Sequence, residues 1–314
     1  MKIAFFGTPK FSLPVLEKIT GSNHKIICVV TQPDRPAGRK QVLTPPPVKE
    51  LAIRHNIPVM QPEKARDMAF LNEYKKLDIE LNLIIAFGQI LPEELIYFPK
   101  YHSVNIHASL LPKYRGASPI NHAIINGDKQ TGVTYQFIDK NLDTGDIIYQ
   151  EKAEILDADD AVSLYGRLSL LSADTVLKVL DMISGGNAPR QKQDNSAATI
   201  VGLLKKEDGK INFSDSAVNI FNKIRGLVPW PGAFCTLSNA ELKIWKAALY
   251  AGSFPGAASA APGSIIKCIK NDGFVVKTGL GLILAEEVQE QSGKRMRAWD
   301  YCMGHNGLEG KILG

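Results

Sequence analysis

Cysteine is scarce in this chain: Cys28, Cys235, Cys268 and Cys302 are the four in 314 residues, and no two form a Cys-x-x-Cys pair. That spacing argues against a disulfide framework and against a zinc cluster, and leaves buried or spare thiols. Cys302 and His305 lie close in sequence but have no second pair to complete a metal site. Long apolar runs are also missing, since no stretch approaches the roughly eighteen residues that a membrane-spanning helix needs. The opening Met-Lys-Ile-Ala-Phe-Phe breaks at Gly7-Thr8-Pro9, too early for the apolar region of a signal peptide. The expectation is therefore a cytoplasmic protein with no membrane partner. Neither sign of charge dominates, and the net charge is +5. Its distribution is uneven, because residues 205–314 hold fourteen Lys plus Arg against ten Asp plus Glu, and the preceding 204 residues hold 23 against 22. A mildly basic final third fits either a polyanion-binding module or a solvated surface.

What is present is a globular balance of 45% hydrophobic and 22% charged residues, enough for one large core or two smaller ones. Short apolar runs at 2–6, 25–31, 81–87 and 103–107 read as strands. Helical spacing falls between them at 13–19, 48–55 and 66–76. Strands this apolar, alternating with helices, call for a sheet that is dry on both sides. The fold class expected is α/β, with a Rossmann-like, mostly parallel sheet and helices on both faces. Gly7 follows the first strand, but Thr-Pro-Lys-Phe-Ser supplies none of the later glycines of Gly-x-Gly-x-x-Gly. A tight turn therefore suits Gly7 better than a nicotinamide site. A helix is expected over 159–184, then a Gly, Pro and polar stretch resembling a linker. Beyond it, residues 210–213, 232–237, 241–249, 264–269, 274–278 and 280–287 read as short strands, with a helical insert at 217–225 and a flexible loop at 251–263. Many short strands in about a hundred residues suggest a small OB-like β-barrel domain. The expected division is 1–189 for a catalytic domain, 190–207 for a linker and 208–314 for the barrel. Trp230, Trp245 and Trp299 fit packing better than base stacking.

Three polar residues can carry chemistry. Asn105 and His107 are two apart at a strand end, so both side chains leave the same face near the carboxyl edge, where open α/β sheets bind ligands. An amide there can donate to a developing oxyanion, and an imidazole can exchange a proton near neutral pH. Residues 109–116, Ser-Leu-Leu-Pro-Lys-Tyr-Arg-Gly, are too rich in Pro and Gly for a helix and too apolar for an exposed turn, and could wall a small-molecule pocket. In Leu142-Asp-Thr-Gly-Asp146, Asp143 can reach back to orient the histidine. Taken singly, each has a plainer reading: a turn-forming Asn, a surface His, a hydrogen-bonded acidic turn.

Together the motifs are more specific. Asn105-Ile-His-Ala-Ser-Leu-Leu-Pro-Lys-Tyr-Arg-Gly-Ala-Ser-Pro-Ile120, followed by Leu142-Asp-Thr-Gly-Asp146, resembles the formyltransferases that use 10-formyltetrahydrofolate. Gln32-Pro-Asp-Arg-Pro-Ala-Gly-Arg39 and Pro229-Trp-Pro231 are similar to the methionyl-tRNA branch of that family, and the likeness covers essentially the whole chain. The resemblance implies transfer of a formyl group from 10-formyltetrahydrofolate to the α-amine of methionyl-initiator tRNA for translation initiation, by a monomer that needs no metal. It implies Asn105, His107 and Asp143 as the catalytic trio. It places Phe87, Gly88, Gln89 and Ile90 with Ser109, Leu110, Leu111 and Pro112 around the folate, and the barrel on the outside of the tRNA. Arg35, Arg39 and Lys40 are the implied acceptor-stem contacts, with Arg39 the principal one. Two departures stand out: Lys40-Gln41-Val42 replaces a commoner Gly-Lys-Lys, and Leu203 stands where lysine is common. Competing readings are a formyltransferase acting on a small amine such as a sugar nucleotide, a formylfolate hydrolase, and a tRNA-binding protein without chemistry.

Overall fold

The structure, a computed structural model, describes residues 1–38 and 41–314. Contacts divide the chain into two compact units. The first comprises Met1–Pro119, Gln130–Glu154 and Tyr165–Val201, and the second Ile120–Lys129, Ile155–Leu164 and Gly202–Gly314.

The first unit is built on a seven-stranded sheet. Its strands are β1 (Lys2–Gly7), β2 (Lys25–Val30), β3 (Val59–Met60), β4 (Leu81–Ile85), β5 (Ser103–His107), β6 (Gln130–Phe137) and β7 (Ile147–Glu154). In space they run β7-β6-β5-β4-β1-β2-β3. β1 to β5 pair in parallel, and β6 and β7 add an antiparallel edge. Alternation along β1 explains why the strands are apolar throughout. Ala4 and Phe6 pack with Phe70, Leu71 and Tyr74 of α1 (Met68–Tyr74) and with Leu95 of α2 (Glu93–Ile96). Ile3 and Phe5 point the other way and are equally buried, so both faces are dry. The helix expected over 66–76 starts later, at Met68, because the Asp67 carboxylate caps it by accepting from the Ala69 N–H at 2.9 Å.

One polar group interrupts this core. Asn82 on β4 donates to the Leu95 carbonyl at 2.8 Å and to the Ser103 hydroxyl at 2.9 Å, and its side-chain oxygen accepts from the Tyr74 hydroxyl. All its partners are buried, so the network registers β4 against β5 without an orphaned dipole. Burial pushes the Tyr74 hydroxyl far above its ordinary range. The stretch after β2 contains a two-stranded ladder that pairs Arg35 with Thr44.

The second unit carries the short strands expected of a small barrel. β8 (Ala233–Leu237), β9 (Ala240–Leu249), β10 (Ile265–Ile269), β11 (Gly273–Lys277) and β12 (Leu282–Glu290) pair antiparallel in the order β8-β9-β12-β11-β10. They share one apolar core with Ile220 and Ile224 of the helix Ala217–Gly226. Residues 210–213 do not form the expected strand. Lys210 makes a single bridge to Phe234, after which Asn212 turns the chain by accepting the Ser214 N–H at 3.1 Å. Trp299 packs against the core, whereas Trp230 is 55% exposed rather than packed. Cys28 and Cys235 are buried, and desolvation pushes each thiol up to about 12. Among the described residues, no helix is long and apolar enough to cross a membrane.

Candidate active site

The site is assembled at the carboxyl end of β5, in the first unit. β5 pairs antiparallel with β6 so that Asn105 lies opposite Gln136 and His107 opposite Thr134. Because side chains alternate, these four polar groups form a row on one face of two adjacent strands. Asp143 closes the row from the turn between β6 and β7. Its φ of 52° puts it in the left-handed region, which Asp tolerates better than most residues.

The Asp143 carboxylate is held by fixed donors. One oxygen accepts from the Gly116 N–H at 2.9 Å, and the other from Gln136 Nε2 at 3.0 Å and Asn105 Nδ2 at 3.3 Å. His107 Nδ1 lies 3.6 Å from the carboxylate, within ion-pair range but too long for a hydrogen bond. The other ring nitrogen, Nε2, is 2.8 Å from the Tyr114 carbonyl. A carbonyl only accepts, so Nε2 carries a proton there, and Nδ1 is the edge turned to the carboxylate. His107 is 6% exposed. The structure thus brings Asn105, His107 and Asp143 together, with the Tyr114 carbonyl and the Gly116 N–H fixing the imidazole and the carboxylate from the main chain.

The turn depends on close approach at Gly145, where a β-carbon would stand 1.7 Å from the Phe137 carbonyl oxygen. Gly145→Ala is therefore expected to push the turn off β6, at a cost of about 1–3 kcal/mol. Thermal melting read by near-ultraviolet circular dichroism checks this, and an unchanged midpoint would contradict the tight packing.

The residues expected around the folate take different positions. Ala86 and Gly88 both have positive φ, 49° and 85°. The twist turns Phe87 inward, where its ring meets Phe6 edge-on at 5.4 Å and is 2% exposed. The Phe87 carbonyl is fixed by the Thr8 hydroxyl at 2.9 Å and Gln32 Nε2 at 3.2 Å. Gln89 is tied by its side chain to the Ala65 N–H at 2.6 Å, while Ile90 is 91% exposed. On the other side, Ser109 is buried with its hydroxyl on the Lys113 carbonyl at 2.6 Å. Leu111 is buried and held by Thr134 and Gln150, and Leu110 and Pro112 are half-buried. The two segments thus leave Ile90 exposed and Leu110 and Pro112 half-buried, apolar side chains of the kind that suit the face of a flat heterocycle.

Arg35 is exposed and pairs with Glu63 at 2.7 Å. The adjoining Asp34 is anchored by Gln61 at 2.7 Å and by the Lys49 ammonium at 2.8 Å. These contacts hold its carboxyl below the ordinary range, the Gln61 hydrogen bond having the larger effect. Arg39 and Lys40 lie outside the described residues.

Sequence reading gave no role to Gln136, Gln193 or the main chain of Tyr114 and Gly116. Their contribution comes from strand register and from contacts distant in sequence.

Comparison with known proteins accords with this geometry. The formyl transferase family matches residues 1–180, and the C-terminal domain of formyl transferases matches residues 203–306. The methionyl-tRNA formyltransferase of Geotalea uraniireducens (strain Rf4) is 43% identical over 314 residues, covering 100% of this chain and 98% of the relative. That of Clostridioides difficile (strain 630) is 42% identical over 100% of both chains. Among solved structures, the methionyl-tRNA formyltransferase from Clostridium thermocellum is similar with a TM-score of 0.57 and 20% identity, covering 81% of this chain and 95% of that one. A sugar 3N-formyl transferase, solved in the presence of dTDP and 5-N-formyl-THF, has a TM-score of 0.70 and 23% identity, covering 94% and 99%. Those two likenesses concern the fold alone. With its N-terminal half and its C-terminal domain both matched, and with curated relatives aligned end to end, the chain belongs to the formyl transferase family.

Proposed function

We propose that the protein transfers a formyl group from 10-formyltetrahydrofolate to the free α-amine of methionyl-initiator tRNA, working as a cytoplasmic monomer without a metal. The observation that carries this reading is the convergence of Asn105, His107 and Asp143 at one carboxyl edge of the sheet. End-to-end likeness to methionyl-tRNA formyltransferases supports the choice of substrate.

The folate supplies an activated formyl carbon. The chain's own residues hold it, bind the charge that develops and move one proton. A bond forms from the α-amine to the formyl carbon, the bond to the folate nitrogen breaks, and the proton lost by the amine ends on that nitrogen. Holding amine and formyl together removes much of the entropic barrier. Asn105 uses one N–H on Asp143 and has a second for the oxygen that becomes negative. Protonated His107 has an acceptor beside each nitrogen, Tyr114 and Asp143, and adds positive charge near that oxygen. The Asp143 carboxylate takes the amine's proton directly or through a water. Arg35, Arg39 and Lys40 serve the acceptor stem, and the second unit serves the outside of the tRNA. Residues 1–189 are assigned catalysis and residues 208–314 RNA binding.

Labelled 10-formyltetrahydrofolate incubated with the protein and methionyl-tRNA, a sugar-nucleotide amine or water distinguishes the readings. Label is expected in methionyl-tRNA alone; label in the sugar amine, or formate release in water, would overturn the assignment. Phosphate contacts also predict salt dependence. Six such contacts would weaken tRNA binding by about a thousandfold between roughly 50 and 200 mM salt. Filter binding measures the slope, and a flat response would remove the RNA from the reading.

A further inference from the structure

Residues 191–201, expected as part of a linker, are laid along the catalytic loop. Ile147 and Gln191 exchange backbone hydrogen bonds at 2.8 and 3.0 Å. The Thr199 hydroxyl accepts the Tyr114 N–H at 2.8 Å, and the Thr199 carbonyl accepts the Arg115 N–H at 2.8 Å. Ile200–Val201 then pairs in parallel with Arg115–Gly116. A β-carbon on Gly116, whose φ is 114°, would stand 2.1 Å from the Val201 carbonyl oxygen, so this strap lies against the backbone that presents a donor to Asp143.

Gln193 is the node of the strap. Its Oε1 accepts from Arg115 Nε at 3.1 Å and Nη2 at 2.8 Å. Arg115 is 6% exposed, and a guanidinium can only donate, which fixes the direction of the Gln193 amide. Its two Nε2 hydrogens are then shared among the three oxygens around it: the Asp143 carbonyl at 2.9 Å, the Gly145 carbonyl at 2.8 Å and, as the longest contact, Gln136 Oε1 at 3.1 Å. That last contact fixes a second amide. With Oε1 of Gln136 committed to Gln193, its Nε2 is the end that meets the Asp143 carboxylate at 3.0 Å. The order Arg115, Gln193, Gln136, Asp143 is thus a chain of forced orientations, each following from a group that cannot reverse its role.

We propose that Gln193 is a positioning residue for the transfer reaction. It sets the direction of the Gln136 amide and holds the carbonyl side of the Asp143 turn, so that the carboxylate is presented to Asn105 and His107. The inference rests on the function proposed above and deepens its site.

Two variants test it. Gln193→Leu removes both polar ends at similar volume and leaves Arg115 its contact with Asn195 Oδ1 at 2.8 Å. Gln193→Glu keeps the acceptor for Arg115 but has no donor for the three oxygens. Both are expected to lower kcat by about 10–100-fold, the range a misplaced catalytic group produces. KM for folate and methionyl-tRNA should stay within about twofold, since no substrate contact is lost. In a Gln136→Leu background, Gln193→Leu should cost several-fold less than it does in the wild type, because the part of its effect that passes through Gln136 is already lost while its hold on the Asp143 and Gly145 carbonyls remains to be lost. Hydrogen exchange gives a readout independent of activity: the Gly116 amide should exchange about tenfold faster, that of Ile106 in β5 at the wild-type rate.

Normal kcat in both variants, a loss confined to KM, additive losses in the double variant, or unchanged exchange at Gly116 would each overturn the proposal. If Gln193→Leu fails to fold, Gln193→Glu, which keeps Arg115 paired, decides. If the wild type transfers no formyl group to methionyl-tRNA, the functional reading falls, and exchange at Gly116 still decides the positioning claim.

Discussion

Asn105→Ala is expected to lower kcat by about a hundredfold to a thousandfold, the usual loss when one oxyanion donor is removed, with KM for both substrates near wild type. The structure makes this a clean substitution. Asn105 is half-buried, and its amide contributes the longest of the three hydrogen bonds to Asp143, at 3.3 Å. The carboxylate keeps the Gly116 N–H at 2.9 Å and Gln136 at 3.0 Å, so the turn loses its weakest partner only. A neutral hydrogen bond of that kind is worth about 1 kcal/mol net, which changes the melting midpoint little. Loss of kcat without loss of KM or fold is what a donor used only in the transition state produces. Asn105→Asp should be worse, because it sets a second carboxylate against Asp143. Steady-state kinetics at saturating folate and methionyl-tRNA make the measurement, and near-normal turnover by Asn105→Ala would take the residue out of the mechanism.

How much of this site could be read from the chain depended on how far apart the cooperating residues lie. Asn105 and His107 were visible because a strand of period two puts both on one face, and Asp143 because Asp-Thr-Gly-Asp forms a turn whatever surrounds it. Gln136 was not. Its role arises from pairing with Asn105 across two antiparallel strands, and register is fixed by the whole sheet rather than by either strand. Gln193 was further from view, since a polar stretch without apolar periodicity signals only the absence of a core helix or strand. Its hydrogen bonds reach Asp143 and Gln136, 50 and 57 residues away. Phe87 shows the reverse. The resemblance implies that it borders the folate, while positive φ at Ala86 and Gly88 accompanies a ring turned into the core against Phe6, a twist that no local pattern announced. The fold itself was more accessible, because apolar runs and glycines mark elements locally. The exceptions, the late start of α1 and the lost strand at 210–213, trace to Asp67 and Asn212, whose side chains bond to nearby backbone and override the apolar pattern.

Asp143→Asn should have the largest effect of all, a fall in kcat on the order of a thousandfold or more, as when the carboxylate of a catalytic triad is amidated. Every group around the side chain is arranged for an anion. Gly116 N–H, Gln136 Nε2 and Asn105 Nδ2 all donate to it, and an amide offers one accepting oxygen where the carboxylate offers two. Whichever way the new amide turns, its NH2 meets at least one N–H. The Gln136 amide cannot simply reverse to relieve the clash while Gln193 holds its other end. The charge beside His107 Nδ1 disappears as well, so the imidazolium form loses its partner and the amine its base. Backbone strain does not confound the result, because Asn accepts the φ of 52° at this position as readily as Asp. The unfavourable contacts predict a stability loss of about 1–3 kcal/mol, too small to account for the kinetic effect. Kinetics and thermal melting on the same preparation separate the two, and a variant within tenfold of wild-type kcat would mean that the anion at Asp143 is structural and that the proton leaves the amine by another route.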